Sequence, residues 1–511
     1  MKFVVVGDVG QDAYHVGDEA MALAAADELS KRTGAEIVLP SRNPDQTHAL
    51  HGRTAIPALR FPWPPAQRRH HLNLVRRAAA GDKDALPATD SVWTVIDAVR
   101  GSDGVLIAGG GNMNSLYGWL LYERCAMALI AHANAKPVVI AGQTFGPELT
   151  GYDRQVLHTM MEHASLIGAR EPTSFRIGCE LGFGTDKLVK VLDDATFLAE
   201  EPETTDNGTE LPAETRELIR KPFIAATLGP EAWRDETRTL AQLAGVLDDL
   251  AQKAQMDILL IPHVGSQRLD GRDGDLESHR VVLAHSRSGR LRAAPVLAAR
   301  KVAEITRRAE LVLTNRYHPA VFALAAGVPV VSLSLDVYSD VRLHGAMGQW
   351  GLAAFALPLP SLASGGFAAA TNEAWQRRRE IRSNLEGLTQ LRKNEFSTWW
   401  DAAANCLSGR EPAERGPLQG IGLSDVPIVR TDSHWARDAA WLRPWFRSIS
   451  STVASAWTEG DDVRSERDEL RRQLGAAEQE RAHLLGSRSY RTTMALSRTA
   501  AHIRRLTGGA A

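Results

Sequence analysis

The sequence predicts an α/β protein of two doubly wound, Rossmann-like domains facing each other across a cleft, with a helical C-terminal tail. Three observations carry that expectation. Short apolar runs alternate with amphipathic stretches through the first two-thirds of the chain, the pattern of βα units around a parallel sheet. The rhythm stops in the polar, turn-rich stretch Glu200-Glu201-Pro202-Glu203-Thr204-Thr205-Asp206-Asn207-Gly208 and then restarts. Finally, 511 residues exceed what one ordinary core accommodates.

The first domain, residues 1–205, has buried strands expected at 3–6, 36–39, 104–108, 137–141, 165–169 and 188–192, with helices at 17–31, 117–134 and 153–162. The second, residues 206–408, has strands expected at 223–228, 258–261, 311–314 and 329–333 and helices at 240–255, 296–308 and 320–326. A long helical stretch over 373–407 is expected to close it. Residues 409–460, with their prolines and tryptophans, read as an irregular linker. Residues 461–511 form a tail: a charged helix with a weak heptad seam at Val463, Leu470, Ala477 and Leu484, then a basic amphipathic segment. From Arg481 onward there are six arginines and no acid, with Arg491, Arg498 and Arg505 on one helical face and Leu496, Ala500 and Ile503 on another. Two readings stay open for that segment, a solvated tail and a peripheral contact with an anionic membrane surface.

Bulk composition excludes several classes. The chain is 44% hydrophobic and 23% charged, and 59 Lys and Arg against 61 Asp and Glu leave no global field to recruit nucleic acid. Any bound anion must be held locally. The three cysteines, Cys125, Cys179 and Cys406, are scattered and form no CxxC pair, which argues against zinc or a disulfide framework and suits a reducing compartment. The first residues lack the apolar run of a signal peptide. The longest apolar stretch, 319–335, is broken by Pro329 and two serines. The expected location is cytoplasmic, at most peripheral to the inner face of a membrane.

Ligands of open α/β sheets collect at the carboxyl ends of strands, so the loops there matter most. Gly7-Asp8-Val9-Gly10 leads on to Gly17-Asp18-Glu19 without the spacing of a dinucleotide fingerprint. Gly109-Gly110-Gly111-Asn112 follows a strand, and its glycines suit either close backbone approach to a ligand or a tight turn. Gly142-Gln143-Thr144-Phe145-Gly146-Pro147 leaves the same two readings open. The most informative stretch is Thr314-Asn315-Arg316-Tyr317-His318-Pro319. There a strand delivers a guanidinium and an imidazole to the start of a helix, whose free N–H groups favour an anion. Arg170, at the end of the 165–169 strand, gives the first half its own strand-end arginine.

Together these segments resemble the polysaccharide pyruvyl transferase family from Gly7 to about Ser334. Carrying the resemblance are Gly17-Asp18-Glu19, Gly109-Gly110-Gly111, Gly142-Gln143-Thr144-Phe145-Gly146-Pro147, Arg170 with Ser174, and Asp194-Ala195-Thr196-Phe197. It continues through Ile261-Pro262-His263 and Arg316-Tyr317-His318 ahead of Ala326-Gly327-Val328-Pro329. The resemblance implies a glycosyltransferase-B-like fold, phosphoenolpyruvate as donor substrate with no further cofactor or metal, and a sugar acceptor, free or lipid-linked. It makes Arg170, Arg316 and His318 the catalytic set, the arginines holding phosphate and carboxylate and the histidine serving as acid. Substrate-binding candidates are Gly17, Asp18, Gly109, Gly110, Gly111, Asn112, Gln143, Asp194 and His263, with Asp18, Glu19 and Asp194 competing as base. His263 near Asp273 and Asp275 is the one combination that evokes a metal, and it reads better as structural. Two features depart from the family pattern. Arg342 stands where relatives often carry lysine, and the last hundred residues lie outside the pattern, Gly486-Ser487-Arg488-Ser489-Tyr490-Arg491 being similar to tails of bacterial glycosyltransferases.

Two other functions share the architecture. A nucleotide-sugar glycosyltransferase would need a carboxylate in the second domain for ribose hydroxyls, such as Glu304 or Asp336. A non-catalytic carbohydrate- or anion-binding subunit of a polysaccharide assembly complex would use Arg316 and His318 for binding alone.

Overall fold

A computed structural model describes residues 1–460 except 63–64, 201–210, 231–235, 267–273, 411–419, 457 and 459. The tail over 461–511, with its heptads and basic face, lies outside the described residues.

Among the described residues sixteen strands run β1 (Lys2–Val6), β2 (Tyr14–His15), β3 (Glu36–Ser41), β4 (Thr54–Pro57), β5 (Gly104–Ile107), β6 (Gly110–Met113), β7 (Val138–Phe145), β8 (Leu166–Ala169), β9 (Leu188–Lys190), β10 (Phe223–Thr227), β11 (Asp257–Leu260), β12 (Val264–Gly265), β13 (Leu291–Ala293), β14 (Val312–Thr314), β15 (Val330–Ser334) and β16 (Ala356–Pro358). The first sheet is ordered β4-β3-β1-β5-β7-β8-β9, with β6 paired to β7; the second is ordered β13-β11-β10-β14-β15-β16. Every pairing within the two sheets is parallel. Central strands such as β5, β7, β10 and β15 are buried at every position, as parallel strands covered by helices on both faces must be. In each sheet the order reverses once, between β1 and β5 and between β10 and β14, and the loops at that switch form a ligand crevice.

The two halves are closely joined. The helix Val16–Thr33 is alanine-rich and apolar around most of its circumference, so it is buried between both domains. Ala25, Ala26 and Leu29 pack on the first sheet, whereas Ala20, Leu23 and Ala24 join the core of the second. An antiparallel bridge, β2 with β12, ties the domains again through Val264 opposite His15 and Gly265 opposite Tyr14.

Two sequence expectations need correction. The stretch over 373–407 does not simply close the second domain. A break at Arg377 separates the helix Gly366–Gln376 from the helix Arg378–Leu407. The latter places Ile381 and Leu385 on the second core, then Trp399, Trp400, Ala403 and Leu407 on the first sheet beside Phe3, Val5 and Leu106. Its apolar positions serve two cores in succession, which periodicity alone does not reveal. Nor is 409–460 irregular throughout, since residues 434–456 are helical. Pro444 inside that segment argued against a helix. Packing outweighs the lost bond: Trp435, Ala439 and Phe446 enter the second core, and the Trp435 ring lies 5.3 Å from that of Phe355. Among the described residues no helix is long and apolar enough to cross a membrane.

Candidate active site

A cavity of about 600 Å³ opens between the facing carboxyl ends of the two sheets. From the first domain, β8 ends in Arg170, which is fully buried. Its Nε donates to Thr144 Oγ1 and Glu171 Oε1, both at 2.9 Å, and its Nη1 donates to Asp193 Oδ2 at 2.6 Å. Its Nη2 is buried with no hydrogen-bond partner. The guanidinium also stacks on Tyr317 of the second domain, 4.3 Å from the ring centroid. Two carboxylates thus fix the arginine and leave one donor directed elsewhere.

From the second domain, β14 ends in the Arg316–His318 turn. Thr314 Oγ1 accepts from the Arg316 N–H at 2.8 Å and donates to the Arg316 carbonyl at 2.9 Å, so the turn is pinned by its own strand. Arg316 stands at the N-cap of the helix Tyr317–Ala325 in an extended conformation. Its Nε and Nη2 donate to Asp275 Oδ1, at 3.2 and 2.5 Å. Asp275 Oδ2 accepts from the His263 and Val264 N–H groups at 2.9 and 3.1 Å. With these cationic and N–H partners offsetting burial, the Asp275 carboxyl titrates below the usual range.

His318 reaches across to the first domain. A β-carbon placed on Gly17 would lie 2.0 Å from its Nδ1, so glycine at 17 makes room for the imidazole. His318 Nε2 is buried without a hydrogen-bond partner and stands 3.8 Å from Asp193 Oδ2. Burial first, then the Arg170 and Arg342 cations, press its pKa well below the ordinary histidine value. The ligand-free imidazole is therefore neutral at neutral pH.

Gly111 is the other point of convergence. A β-carbon there would meet Tyr338 Oη at 2.3 Å, Arg342 Nη1 at 3.1 Å and Arg170 Nη2 at 3.2 Å. Tyr338 donates its hydroxyl to the Gly111 carbonyl, and the Arg342 guanidinium lies 3.7 Å over the Tyr338 ring. Arg342 thereby joins Arg170 and Arg316 as a third cation on the cavity.

Eight of the predicted residues line this cavity: Gly17, Asp18, Gly111, Asn112, Arg170, His263, Arg316 and His318. The structure places Gly109, Gly110, Gln143 and Asp194 beneath it instead. Asp194 accepts from the Gly109 N–H at 2.6 Å and the Gly142 N–H at 3.0 Å, clamping two strand ends together. Gln143 donates to the Ala108 carbonyl under the glycine loop, and its Oε1 approaches the position a Gly110 β-carbon would take. Sequence order could not tell the layer touching a ligand from the layer supporting it.

The three carboxylates that competed as base now separate. Glu19 accepts from the Gly10 N–H and pairs with His51 Nε2 at 2.6 Å. Burial and the neighbouring Asp193 charge raise the Asp194 carboxyl to about 7, but it faces its two N–H donors. Asp18 alone of the three lines the cavity. Burial holds its carboxyl up at about 6, with His15, 3.6 Å away, opposing the shift. Of the His263, Asp273 and Asp275 combination, Asp273 lies outside the described residues, and burial keeps the His263 ring neutral with a pKa of about 3. Among the described residues no group of three His, Cys, Asp or Glu is arranged to hold a metal.

Of the lining residues not anticipated as site residues, four shape the walls and rim. Tyr117, Tyr317 and Tyr338 give it aromatic walls, with the Tyr117 and Tyr338 rings 5.7 Å apart and Trp119 edge-on to Tyr117 at 5.8 Å. The fourth, Ser339, caps its helix with Asp336. Of the two carboxylates that a nucleotide-sugar enzyme would call on, Glu304 pairs with Lys301 outside the cavity at 2.8 Å, and Asp336 lies on the rim with Oδ1 accepting from the Ser339 N–H.

A family model described as polysaccharide pyruvyl transferase matches residues 15–337, more than half of the chain. The chain belongs to the polysaccharide pyruvyl transferase family. The matched span begins at His15 beside Gly17 and takes in Arg170, Arg316 and His318, while Arg342 and the helix over 434–456 fall beyond it. No curated protein matches. Solved structures match the fold. The putative UDP-N-acetylglucosamine 2-epimerase of Listeria monocytogenes aligns with a TM-score of 0.50 at 13% identity, covering 80% of this chain and 97% of its own. HepE of Anabaena, crystallised with UDP and glucose, aligns with a TM-score of 0.51 at 13% identity, covering 80% and 100%. At that identity the likeness speaks for the two-domain, glycosyltransferase-B-like architecture alone.

Proposed function

We propose that this family member transfers the enolpyruvyl group of phosphoenolpyruvate to two hydroxyls of a sugar, forming a pyruvate ketal and releasing phosphate. The observation that carries the reading is the pairing of buried, unpartnered Arg170 Nη2 with His318 Nε2 on one cavity that also exposes Arg316 and Arg342. Phosphoenolpyruvate carries about three negative charges at neutral pH, and taking it from water requires several cations already held in place.

In this reading Arg170, Arg316 and Arg342 hold the phosphate and carboxylate, each guanidinium oriented before the donor arrives. His318, protonated once the donor's charge is present, gives a proton to the methylene carbon. One sugar hydroxyl then bonds to C2 as its proton passes to Asp18. The C2–O bond to phosphate breaks, the second hydroxyl attacks C2, and its proton leaves with the phosphate as HPO₄²⁻. One donor and one diol thus give one ketal and one phosphate. Tyr117 and Trp119, beside Asp18, present aromatic surface of the kind sugars stack against.

The test is phosphate release from phosphoenolpyruvate by purified protein offered a panel of hexosides, beside Arg316→Ala and His318→Ala. Acceptor-dependent release abolished by both substitutions supports the reading. Thermal stabilisation by a uridine or guanosine diphosphate sugar, with none by phosphoenolpyruvate, would replace it with glycosyl transfer.

A further inference from the structure

We infer that the outer face of the helix over 434–456 is a docking surface for an anionic phospholipid bilayer. Along this helix Trp441, Trp445, Ile449 and Val453 recur every four residues and so share one face. They are 78%, 56%, 42% and 41% exposed, which puts them among the few large apolar side chains the described residues leave in water. Between residues 440 and 456 the other exposed positions are alanine, proline, serine and threonine, without a charge. The adjoining face is committed: Trp435, Ala439 and Phe446 are in the core, and Arg447 Nε donates to Asp340 Oδ2 at 2.6 Å. Fold stability therefore accounts for one side of the helix and leaves the tryptophan side without a structural task.

Three observations favour a bilayer over other occupants. Tryptophan pairs with aliphatic residues on this face, and indoles settle at the membrane–water boundary. The chain continues from this helix into residues whose last stretch, from Arg481 on, has six arginines and no acid, a charge complement to anionic headgroups. Four side chains on one helix expose on the order of a few hundred Å², well short of the ~800 Å² per partner of a stable protein interface. The location also makes sense of such a contact. A crevice of about 140 Å³ under Trp445, Ile449 and Val453 shares Leu116, Leu335, Asp336 and Tyr338 with the main cavity. Docking by this face holds the cavity mouth at the lipid surface, where an acceptor sugar carried on a lipid would be met. The bilayer contact stands on the surface itself; only the lipid-borne acceptor rests on the pyruvyl-transfer reading.

The experiment is co-sedimentation of the full chain with vesicles of phosphatidylcholine alone and of phosphatidylcholine with about a third phosphatidylglycerol. It compares wild type, Trp441→Ser/Trp445→Ser and, as a control for losing an exposed aromatic elsewhere, Tyr152→Ser. Wild type and the control should partition onto the anionic vesicles, and the double variant at least about tenfold less, with unchanged melting temperature. Binding that the double variant retains would overturn the inference. So would no vesicle binding by wild type, or self-association in solution that the double variant abolishes, which would make the face a contact between copies. No step needs phosphoenolpyruvate, so this outcome is independent of the activity assay.

Discussion

Gly17→Ala isolates the contact by which one domain positions the proposed acid of the other, His318. Gly17 is the second residue of the helix Val16–Thr33, where alanine is the better helix former, so secondary structure alone predicts a neutral or stabilised protein. The clash predicts the opposite for activity. The new β-carbon would lie 2.0, 2.3 and 2.8 Å from Nδ1, Cε1 and Cγ of His318, and the ring must retreat by about 1.5 Å to reach ordinary contact. Displacement of a reacting group by ~1 Å costs on the order of a hundredfold in rate. The expected outcome is a kcat/KM for acceptor-dependent phosphate release down by about two orders of magnitude, with a melting temperature lowered by only about a few degrees, because ~1 kcal/mol of helix gain offsets part of the ~1–3 kcal/mol cost of overpacking. The double variant Gly17→Ala/His318→Ala supplies the control. If the ring is what the methyl strikes, the double variant should be no worse than His318→Ala alone. Activity within about threefold of wild type, or losses that multiply in the double variant, would refute the reasoning.

Three further expectations follow from the same geometry. With the Asp18 carboxyl at about 6, kcat/KM should fall on the acid side with a midpoint near that value, and Asp18→Asn should remove the limb along with most activity. Stability runs the opposite way. The folded protein holds this proton where the unfolded chain has lost it, so stability falls as pH rises from about 4 to 6, and Asp18→Asn should melt higher than wild type at pH 7.5. Asp275→Asn should raise KM for phosphoenolpyruvate about tenfold by freeing the Arg316 guanidinium, with kcat moved less. Because the folded Asp275 pKa is depressed, its contribution is present above the ordinary carboxylate value and lost as pH falls through the lower one, so wild type and variant should converge in stability in strong acid. Donor binding should take up a proton at His318, seen as a dependence of the calorimetric enthalpy on buffer ionisation that His318→Ala abolishes.

The buried parallel strands were legible because nothing but continuous apolar runs can fill them, and the long strands of both sheets fall within a few residues of expectation. Edge strands such as β4 and β13 escaped, being three or four residues long and partly exposed. The helix Val337–Gly348 escaped for a different reason. Its Asp336–Ser339 capping box was present in the sequence, but the helix that follows is buried on several sides and lacks a clean stripe. At the site, Arg170, Arg316 and His318 could be found because each follows a strand. Arg342 and Tyr338 lie on a helix, and only the close approach of the two domains at Gly111 brings them to the cavity. Asp275 was noticed as a metal candidate and proves to be the partner of Arg316, a pairing across 41 residues that spacing does not encode.

The cation-rich design carries a consequence for the order of events. In the free protein burial, and after it Arg170 and Arg342, drives the proton off His318, so the group proposed as acid is not yet an acid. An incoming trianion reverses the local potential, because charges a few ångströms apart in a partly desolvated cavity interact by several kcal/mol. The same trianion disfavours ionised Asp18, which already sits at about 6, unless the arginines screen it. On the proposed reading, acid and base would both be ready only when the donor is seated squarely between the guanidiniums and Asp18 remains on the solvent side of them. A donor bound loosely, or toward Asp18, would raise both pKa values together and leave the base protonated. In the proposed reaction the arginines would do more than attract phosphoenolpyruvate. They would separate the two titrations, and moving any one of them should disturb the pH profile as well as the affinity.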